Sequence, residues 1–136
     1  LRRMNPLRFR AWWIAGGVLI ALAVAVTSLL PPADLPNVQV WDKFEHAIAF
    51  FVLAAWFGGV LRPDRYWWLA LALVAFGVGI EIAQGAMGVG RTADLRDVFA
   101  DATGIVIGAA LARLVGADGW RRRVERCFGV PAPAAD

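Results

Sequence analysis

Cysteine, lysine and histidine are almost absent from this chain. Its one cysteine, Cys127, excludes an internal disulfide, and we expect that residue to lie in the reducing cytosol. The sequence also lacks a glycine-rich phosphate loop, a GxSxG elbow and a CxxC pair. Nucleotide hydrolysis, serine-hydrolase chemistry and dithiol chemistry therefore have no signal in the sequence.

Apolar residues are what the chain has in abundance. Of its 136 residues 60% are hydrophobic, and the mean hydropathy is +0.59, which a soluble domain of this size rarely shows. Fourteen Lys and Arg against 11 Asp and Glu give a net charge of +3. Because these cations flank apolar segments, they favour membrane topology over nucleic-acid binding. We expect a membrane protein that contacts lipids and has no nucleic-acid partner.

Four apolar segments are long enough to cross the hydrocarbon core of a bilayer as helices. The first follows a basic start and has no clear cleavage site for a signal peptidase, so we expect it to be retained. The predicted helices span about 11–30, 43–61, 66–88 and 94–115. This pattern predicts an all-α, four-helix transmembrane domain over residues 1–117. Residues 118–136 would form a basic cytoplasmic tail, with a short surface helix that contacts anionic lipids and is followed by disorder.

The distribution of cations predicts the orientation of these helices. Eleven cations flank the ends that share a side with the N-terminus: Arg2, Arg3, Arg8, Arg10, Arg62, Arg65, Arg113, Arg121, Arg122, Arg123 and Arg126. Only three flank the opposite ends: Lys43, Arg91 and Arg96. Since positive loops stay in the cytoplasm, we expect both termini to be cytoplasmic.

Polar residues recur at one end of three of the predicted helices. An ionisable group inside a membrane segment costs roughly 2.5–3.5 kcal/mol, so such groups usually face one another and serve a function. The helical rise of 1.5 Å per residue places all of these groups at similar depth near the extracytoplasmic side. They are Asp42, Lys43, His46, Glu81, Gln84, Arg91, Asp94, Asp97 and Asp101. We therefore expect one shared acid/base pocket.

Residue chemistry suggests roles within that pocket. Proton transfer is assigned to His46, Glu81 and Asp97. Substrate binding is assigned to Asp42, Lys43, Gln84, Arg91, Asp94 and Asp101, with Lys43 and Arg91 as anion ligands. No cofactor is expected, although His46, Glu81, Asp97 and Asp101 are candidate ligands for Mg²⁺, Mn²⁺ or Ca²⁺. In a purely structural alternative, Lys43 and Arg91 pair with carboxylates and hold the helices together.

Small residues line the last predicted helix. Gly104 and Gly108 form a GxxxG motif, which lets membrane helices approach closely. We expect this motif to pack within the chain, with an oligomer contact through the same two residues as the alternative.

Three motifs in order carry a resemblance to a known family. They read Asp42-Lys43-x-x-His46-x-x-x-Phe50-x-x-Leu53, then Glu81-x-x-Gln84, then Arg91-x-x-Asp94-x-x-Asp97-x-x-x-Asp101-x-x-Gly104-x-x-x-Gly108. This pattern resembles the VanZ-like family of small bacterial membrane proteins. The chain departs from it in having Phe50 where the family tends to have Tyr, and Asp101 where it tends to have Asn.

The resemblance implies a role in the bacterial cell envelope. It implies a multi-pass protein of the inner membrane that binds, and in an enzymatic version modifies, a cell-wall or lipid-linked molecule. It also implies an association with low-level resistance to teicoplanin, a glycopeptide antibiotic. Two alternatives stay open: a small proton- or ion-coupled transporter in which Glu81 and Asp101 exchange protons, and a binding scaffold without turnover.

Overall fold

The protein is all-helical over the residues that its computed structural model describes, which are 9–30, 38–88, 93–116 and 119–129. These ranges contain five α-helices and no strand, which confirms the all-α part of the prediction. The helices are α1 (Arg10–Leu29), α2 (Val38–Gly58), α3 (Tyr66–Met87), α4 (Leu95–Leu114) and α5 (Gly119–Cys127). A single 3-10 turn, Pro63–Arg65, joins α2 to α3.

Three of the long helices begin and end within one residue of the predicted bounds, but α2 does not. It begins five residues earlier than predicted and ends three residues earlier, at Gly58. The prediction placed its start where charges interrupt the apolar pattern, yet the sequence has no helix breaker between Pro36 and Asp42. At the other end the Gly58-Gly59 pair disfavours helix before the apolar residues run out.

Two segments of the described chain are long and apolar enough to cross a membrane, Arg10–Leu29 and Pro63–Met87. Helices α2 and α4 have similar length, with 21 and 20 residues. Their polar side chains reduce their hydropathy and come mostly from the predicted pocket. Much of the apolar surface faces outward, including Leu19, Leu22, Ile82 and Val106. This exterior suits lipid better than water.

Helix α2 lies at the centre of the packing. It contacts α1, α3 and α4, and its contact with α4 is the most extensive. Phe50 and Leu53 of α2 are completely buried, and Leu73 of α3 and Ile105 of α4 pack in the same core. The side of α2 that carries these residues also carries His46, one turn before Phe50, so the core positions the polar residues.

Two glycines allow the close approach of α4 to α2. A Cβ atom on Gly104 would lie 2.8 Å from the backbone nitrogen of Phe51, and one on Gly108 would lie 2.9 Å from Cβ of Ala54. Both distances are too short for real atoms, so only glycine fits. The motif therefore packs within the chain, and an oligomer contact would have to use this same occupied face.

The C-terminal helix α5 packs against the first two helices and is not simply a lipid-facing tail. Arg121, predicted as part of a lipid anchor, is completely buried, which corrects that prediction. Its guanidinium carbon lies 5.1 Å from the ring centroid of Trp13 and 5.3 Å from that of Trp56, and Nη2 donates to the Trp56 carbonyl. Burial lowers the pKa of Arg121 to about 10.

Glu125 strengthens the same contact one turn further along α5. Its Oε1 atom accepts hydrogen bonds from Nε1 of Trp13 at 3.0 Å and from the backbone nitrogen of Phe9 at 3.3 Å. The amide of Phe9 lies at the start of α1, where helix N–H groups lack partners within the helix. The opposite face of α5 carries Arg123 and Arg126, which are exposed.

Candidate functional site

Polar side chains from three helices meet at the end of the molecule where α2 and α4 begin and α3 ends. We call this group the polar cluster, and its members are Asp42, Lys43, His46, Glu81, Asp94, Asp97 and Asp101. Four of them are buried although they are ionisable: His46, Glu81, Asp97 and Asp101. Burial of so many ionisable groups is costly unless they contact one another, and the contacts below show that they do.

The most deeply buried contact in the polar cluster joins α2 to α4. Nδ1 of His46 lies 2.9 Å from Oδ1 of Asp101, and the two side chains are only 3% and 1% exposed. A histidine and a carboxylate that share a proton are the usual parts of an acid/base pair. His46 Nε2 and Asp101 Oδ2 are also buried, and neither has a hydrogen-bond partner among the described residues.

Lys43 bridges two carboxylates at the start of α4, one on the N-cap residue Asp94 and one on Asp97 in the first turn. Its Nζ atom lies 2.9 Å from Oδ2 of Asp94 and 2.9 Å from Oδ1 of Asp97. The Lys43 ammonium, helped by the backbone amide of Arg96, holds the pKa of Asp94 below its usual value. Asp94 also caps α4 by accepting from that amide at 2.9 Å. The predicted role of Lys43 as an anion ligand therefore competes with two carboxylates that already hold it.

Glu81 ties α3 to the start of α4. Its Oε2 atom accepts a hydrogen bond of 2.9 Å from the backbone nitrogen of Asp94. The other oxygen, Oε1, is buried and has no hydrogen-bond partner in the described part of the chain. Proton transfer was predicted to join His46 with Asp97 or Glu81, but the hydrogen-bond partner of His46 is Asp101.

A glycine of α3, Gly77, makes room for the side chain of Asp101. Oδ2 of Asp101 points at Gly77, so closely that a Cβ atom there would collide with it. The same Cβ atom would lie 3.2 Å from Cζ of Phe50. Phe50 is fully buried and lies parallel to the His46 ring, with centroids 6.5 Å apart and an interplanar angle of 8°. The two positions that depart from the family pattern, Phe50 and Asp101, thus both contact His46.

One predicted substrate ligand, Gln84, forms its hydrogen bond with α1. Gln84 is buried, and its Nε2 atom donates to the backbone carbonyl of Ser28 at 2.8 Å, which links α3 to α1. Arg91 lies outside the described residues, so its predicted role stays a prediction.

A small cavity opens beside His46 between α1 and α2. Its volume is about 50 Å³, enough for a few water molecules but not for a substrate. Its polar lining comes from Asp42, Glu45 and His46 of α2 and from Thr27 and Ser28 of α1. The two α1 residues were not among the predicted site residues. Their signal was the appearance of hydroxyl side chains at the end of an otherwise apolar helix.

A larger, almost entirely apolar groove lies on the outer surface of α2 next to the polar cluster. Its volume is about 470 Å³, and it is lined by Trp41, Lys43, Phe44 and Ala47. Grooves of this size accept part of a lipid or a comparable ligand. Lys43 lines the groove and also bonds the carboxylates of the cluster, so the two regions are continuous.

One group in the described part of the chain has the geometry to hold a metal ion: Asp42, His46 and Asp97. Each offers one ligand atom, and these atoms all lie within 4.8 Å of one another. The set predicted from the sequence contained Glu81 and Asp101 instead of Asp42. Glu81 bonds the backbone of Asp94 and Asp101 bonds Nδ1 of His46, whereas Asp42 lies one helical turn before His46 on the same face.

An all-helical protein with two helices of membrane-spanning length and with buried ionisable residues at one end is consistent with the class of small helical membrane proteins. A family model described as VanZ/LLP1 matches residues 9–116, a span that holds α1 to α4 and the whole polar cluster. The chain belongs to this family. No significant match was found among curated proteins or among solved structures.

Proposed function

We propose that this chain is a four-helix integral protein of the bacterial inner membrane whose polar cluster binds the head group of a lipid-linked molecule, such as a cell-wall precursor. Helices α1 to α4 form the transmembrane domain, both termini are cytoplasmic, and the cluster opens toward the extracytoplasmic face. The outward apolar surface and the excess of cations at the opposite ends of the helices support this arrangement.

The observation that carries the proposal is the continuity of the apolar groove with the polar cluster. A lipid-linked molecule has a hydrocarbon tail and a polar head, and here a groove lined by Trp41, Phe44 and Ala47 ends at Lys43. The tail would lie along the groove in the outer leaflet. The head group would then reach Asp94 and Asp97, whose oxygens accept from hydroxyl or amine groups.

The same geometry supports chemistry on the bound head group. His46 would move a proton, because Asp101 fixes the orientation of its ring through Nδ1. Glu81 and Asp97 are further buried carboxylates in the cluster. In this enzymatic version, a His46→Gln variant retains the lipid but no longer converts it.

Native mass spectrometry of the protein purified in mild detergent tests the binding proposal. We expect the wild type to retain a lipid other than the bulk phospholipids. Phe44→Asn in the groove and Asp97→Asn in the cluster should each reduce its occupancy at least about tenfold, which corresponds to about 1.4 kcal/mol. Phe128→Asn and Asp64→Asn are the matched controls, because both residues are exposed and neither lines the groove nor belongs to the polar cluster. Equal retention of ordinary phospholipids by all five proteins would contradict the proposal.

A second candidate function is a proton-coupled carrier. It is favoured by the two buried carboxylate oxygens, Oε1 of Glu81 and Oδ2 of Asp101, that have no hydrogen-bond partner among the described residues. Carboxyl groups in this situation can exchange protons during transport. Proton flux into liposomes that is absent from Glu81→Gln would support the carrier, and lipid retention without flux would support the binding protein.

The family link to teicoplanin resistance extends the proposal to cells. A protein that binds cell-wall precursors at the outer leaflet would alter the amount of precursor that the antibiotic can reach. Expression of the wild type should therefore raise the inhibitory concentration of teicoplanin in a susceptible strain, and expression of Asp97→Asn should not.

A further inference from the structure

We infer that Asp42, His46 and Asp97 hold a divalent transition-metal cation within the polar cluster. Two of the ligands come from one face of α2, four residues apart, and the third comes from the first turn of α4. Their ligand atoms already lie within 4.8 Å of one another, which is compatible with a shared ion after small side-chain movements. The inference deepens the proposed function, on which it rests, because the ion would lie in the same pocket.

His46 supplies the independent evidence for a ligand. Its Nε2 atom is buried without a hydrogen-bond partner among the described residues, in a side chain that is only 3% exposed. Its Nδ1 atom meets the carboxylate of Asp101 at 2.9 Å. Metal-ligating histidines typically donate their second ring N–H to a carboxylate in this way, which fixes the ring and leaves the other nitrogen for the metal. We assign Nε2 as the ligand atom. With the ion bound, His46 therefore holds the metal and does not itself move a proton, so the metal site replaces the proton-transfer role given to His46 in the enzymatic version.

The charges of the cluster also favour a cation. The cluster contains five carboxylates, and Lys43 is its one permanently charged cation among the described residues. Asp97 binds Lys43 through Oδ1, so Oδ2 is the oxygen that we assign to the ion. A divalent cation would offset two of the negative charges at the point where they are buried.

The donor set narrows the identity of the ion. One imidazole nitrogen and two carboxylate oxygens suit Zn²⁺ or Mn²⁺ better than Ca²⁺, which takes six to eight oxygens, or Mg²⁺, which keeps an octahedral oxygen shell. The cavity of about 50 Å³ beside Asp42 and His46 can hold the water molecules that complete the coordination. A bound cation would also allow this acidic cluster to accept a phosphate-bearing head group.

Mn²⁺ titration followed by electron paramagnetic resonance tests the inference on the full chain, purified in detergent and stripped with a chelator. We expect one saturable Mn²⁺ site per chain that Zn²⁺ displaces. His46→Gln and Asp42→Asn should each weaken binding at least about tenfold, and Asp101→Asn about 10- to 100-fold through the orientation of His46. Asp64→Asn, which removes an exposed carboxylate from the α2–α3 turn, should bind as the wild type does.

Circular dichroism and gel filtration establish that each variant is folded. If His46→Gln does not fold, Asp42→Asn carries the test, because Asp42 lies at the half-buried margin of the cluster. Absence of saturable binding, or equal affinity in the wild type and the folded variants, would overturn the inference. Retention of the lipid by chelator-treated protein that binds no Mn²⁺ would overturn the metal site alone. Tight Mn²⁺ binding without lipid retention would overturn the proposed function alone.

Discussion

At the scale of single residues, the fit between Gly77 and Asp101 sets how closely α3 and α4 approach at the polar cluster. The carboxylate of Asp101 occupies the space that a side chain at position 77 would need. Asp101 in turn holds His46, and Phe50 covers the ring of that histidine. The position of the acid/base pair therefore depends on a residue that has no side chain.

Gly77→Ala should destabilise the protein by about 1–3 kcal/mol, because the added methyl group collides with Asp101 and overpacks Phe50. Gly79→Ala on the same helix is the matched control, since a Cβ atom there has no neighbour within 4 Å. That control should be neutral or stabilising by up to about 1 kcal/mol. Chemical denaturation in detergent measures both values.

Removal of the Asp101 side chain tests whether the collision with it causes the loss of stability in Gly77→Ala. In the double variant Gly77→Ala/Asp101→Ala the collision with the carboxylate is gone, so the effect of the alanine at position 77 should shrink. Equal stabilities of Gly77→Ala and Gly79→Ala would contradict the prediction.

Residue chemistry and helical spacing predicted a group of polar side chains at one end of the helices, and seven of the nine predicted members meet in the polar cluster. They did not predict how these side chains would pair. The i, i+4 relation puts Asp42 and His46 on one face of α2, and this can be read from the sequence. The choice of Asp101 over Asp97 as the partner of His46 depends on the rotation and depth of α4 against α2. Those are set by contacts of Gly104 and Gly108, which spacing within one helix does not encode.

At the scale of elements, α5 shows how charge patterning can mislead. A run of arginines after the last apolar segment is typical of a membrane-surface anchor. Three of the four arginines remain at least partly accessible, but Arg121 is buried between Trp13 and Trp56. Its partners lie on α1 and α2, far away in sequence, so the run of arginines alone could not distinguish it from the others.

Arg121→Met should release α5 from the rest of the protein. The change removes two cation–π contacts and a hydrogen bond to the Trp56 carbonyl, together worth roughly 2 kcal/mol. We expect the backbone amides of α5 to exchange with deuterium at least about tenfold faster. Arg123→Met is the control, because Arg123 is exposed on the other face of the same helix.

A second variant separates release of α5 from general destabilisation. Glu125→Ala removes the acceptor for Trp13 and for the Phe9 amide, and it should accelerate exchange in α5 while leaving exchange in α3 unchanged. Equal exchange in α5 for Arg121→Met and Arg123→Met would contradict the prediction that Arg121 holds α5 in place.

At the scale of the whole molecule, helix lengths and apolar composition predicted the all-helical architecture well. The bounds of α1, α3 and α4 follow from the apolar residues, turns and glycines at their ends, although α3 and α4 also contain charged residues. The start of α2 does not, because charged residues that belong to the polar cluster mimic the end of an apolar segment. At Asp42 and Lys43, charges that belong to the polar cluster were therefore mistaken for a helix boundary.

The proposed orientation predicts which ends of the helices face the cytoplasm. Cys127 is exposed and is the sole cysteine of the sequence, so it reports on its own side. A membrane-impermeant maleimide should label it in inside-out vesicles and not in intact spheroplasts. In a Cys127→Ser background, Ala93→Cys, at an exposed position just before α4, should label in spheroplasts. Labelling of both positions from the same side would refute the orientation.

The bond between Glu125 and the amide of Phe9 spans 116 residues. Such a contact cannot form while the chain is still being synthesised up to α4, so the first helix forms before its final neighbour exists. The contact of α5 with the start of α1 is therefore among the last to form during synthesis of the protein. A chain that ends before α5 would leave the indole N–H of Trp13 without the Glu125 acceptor, so its first helix would be held less firmly than in the full chain.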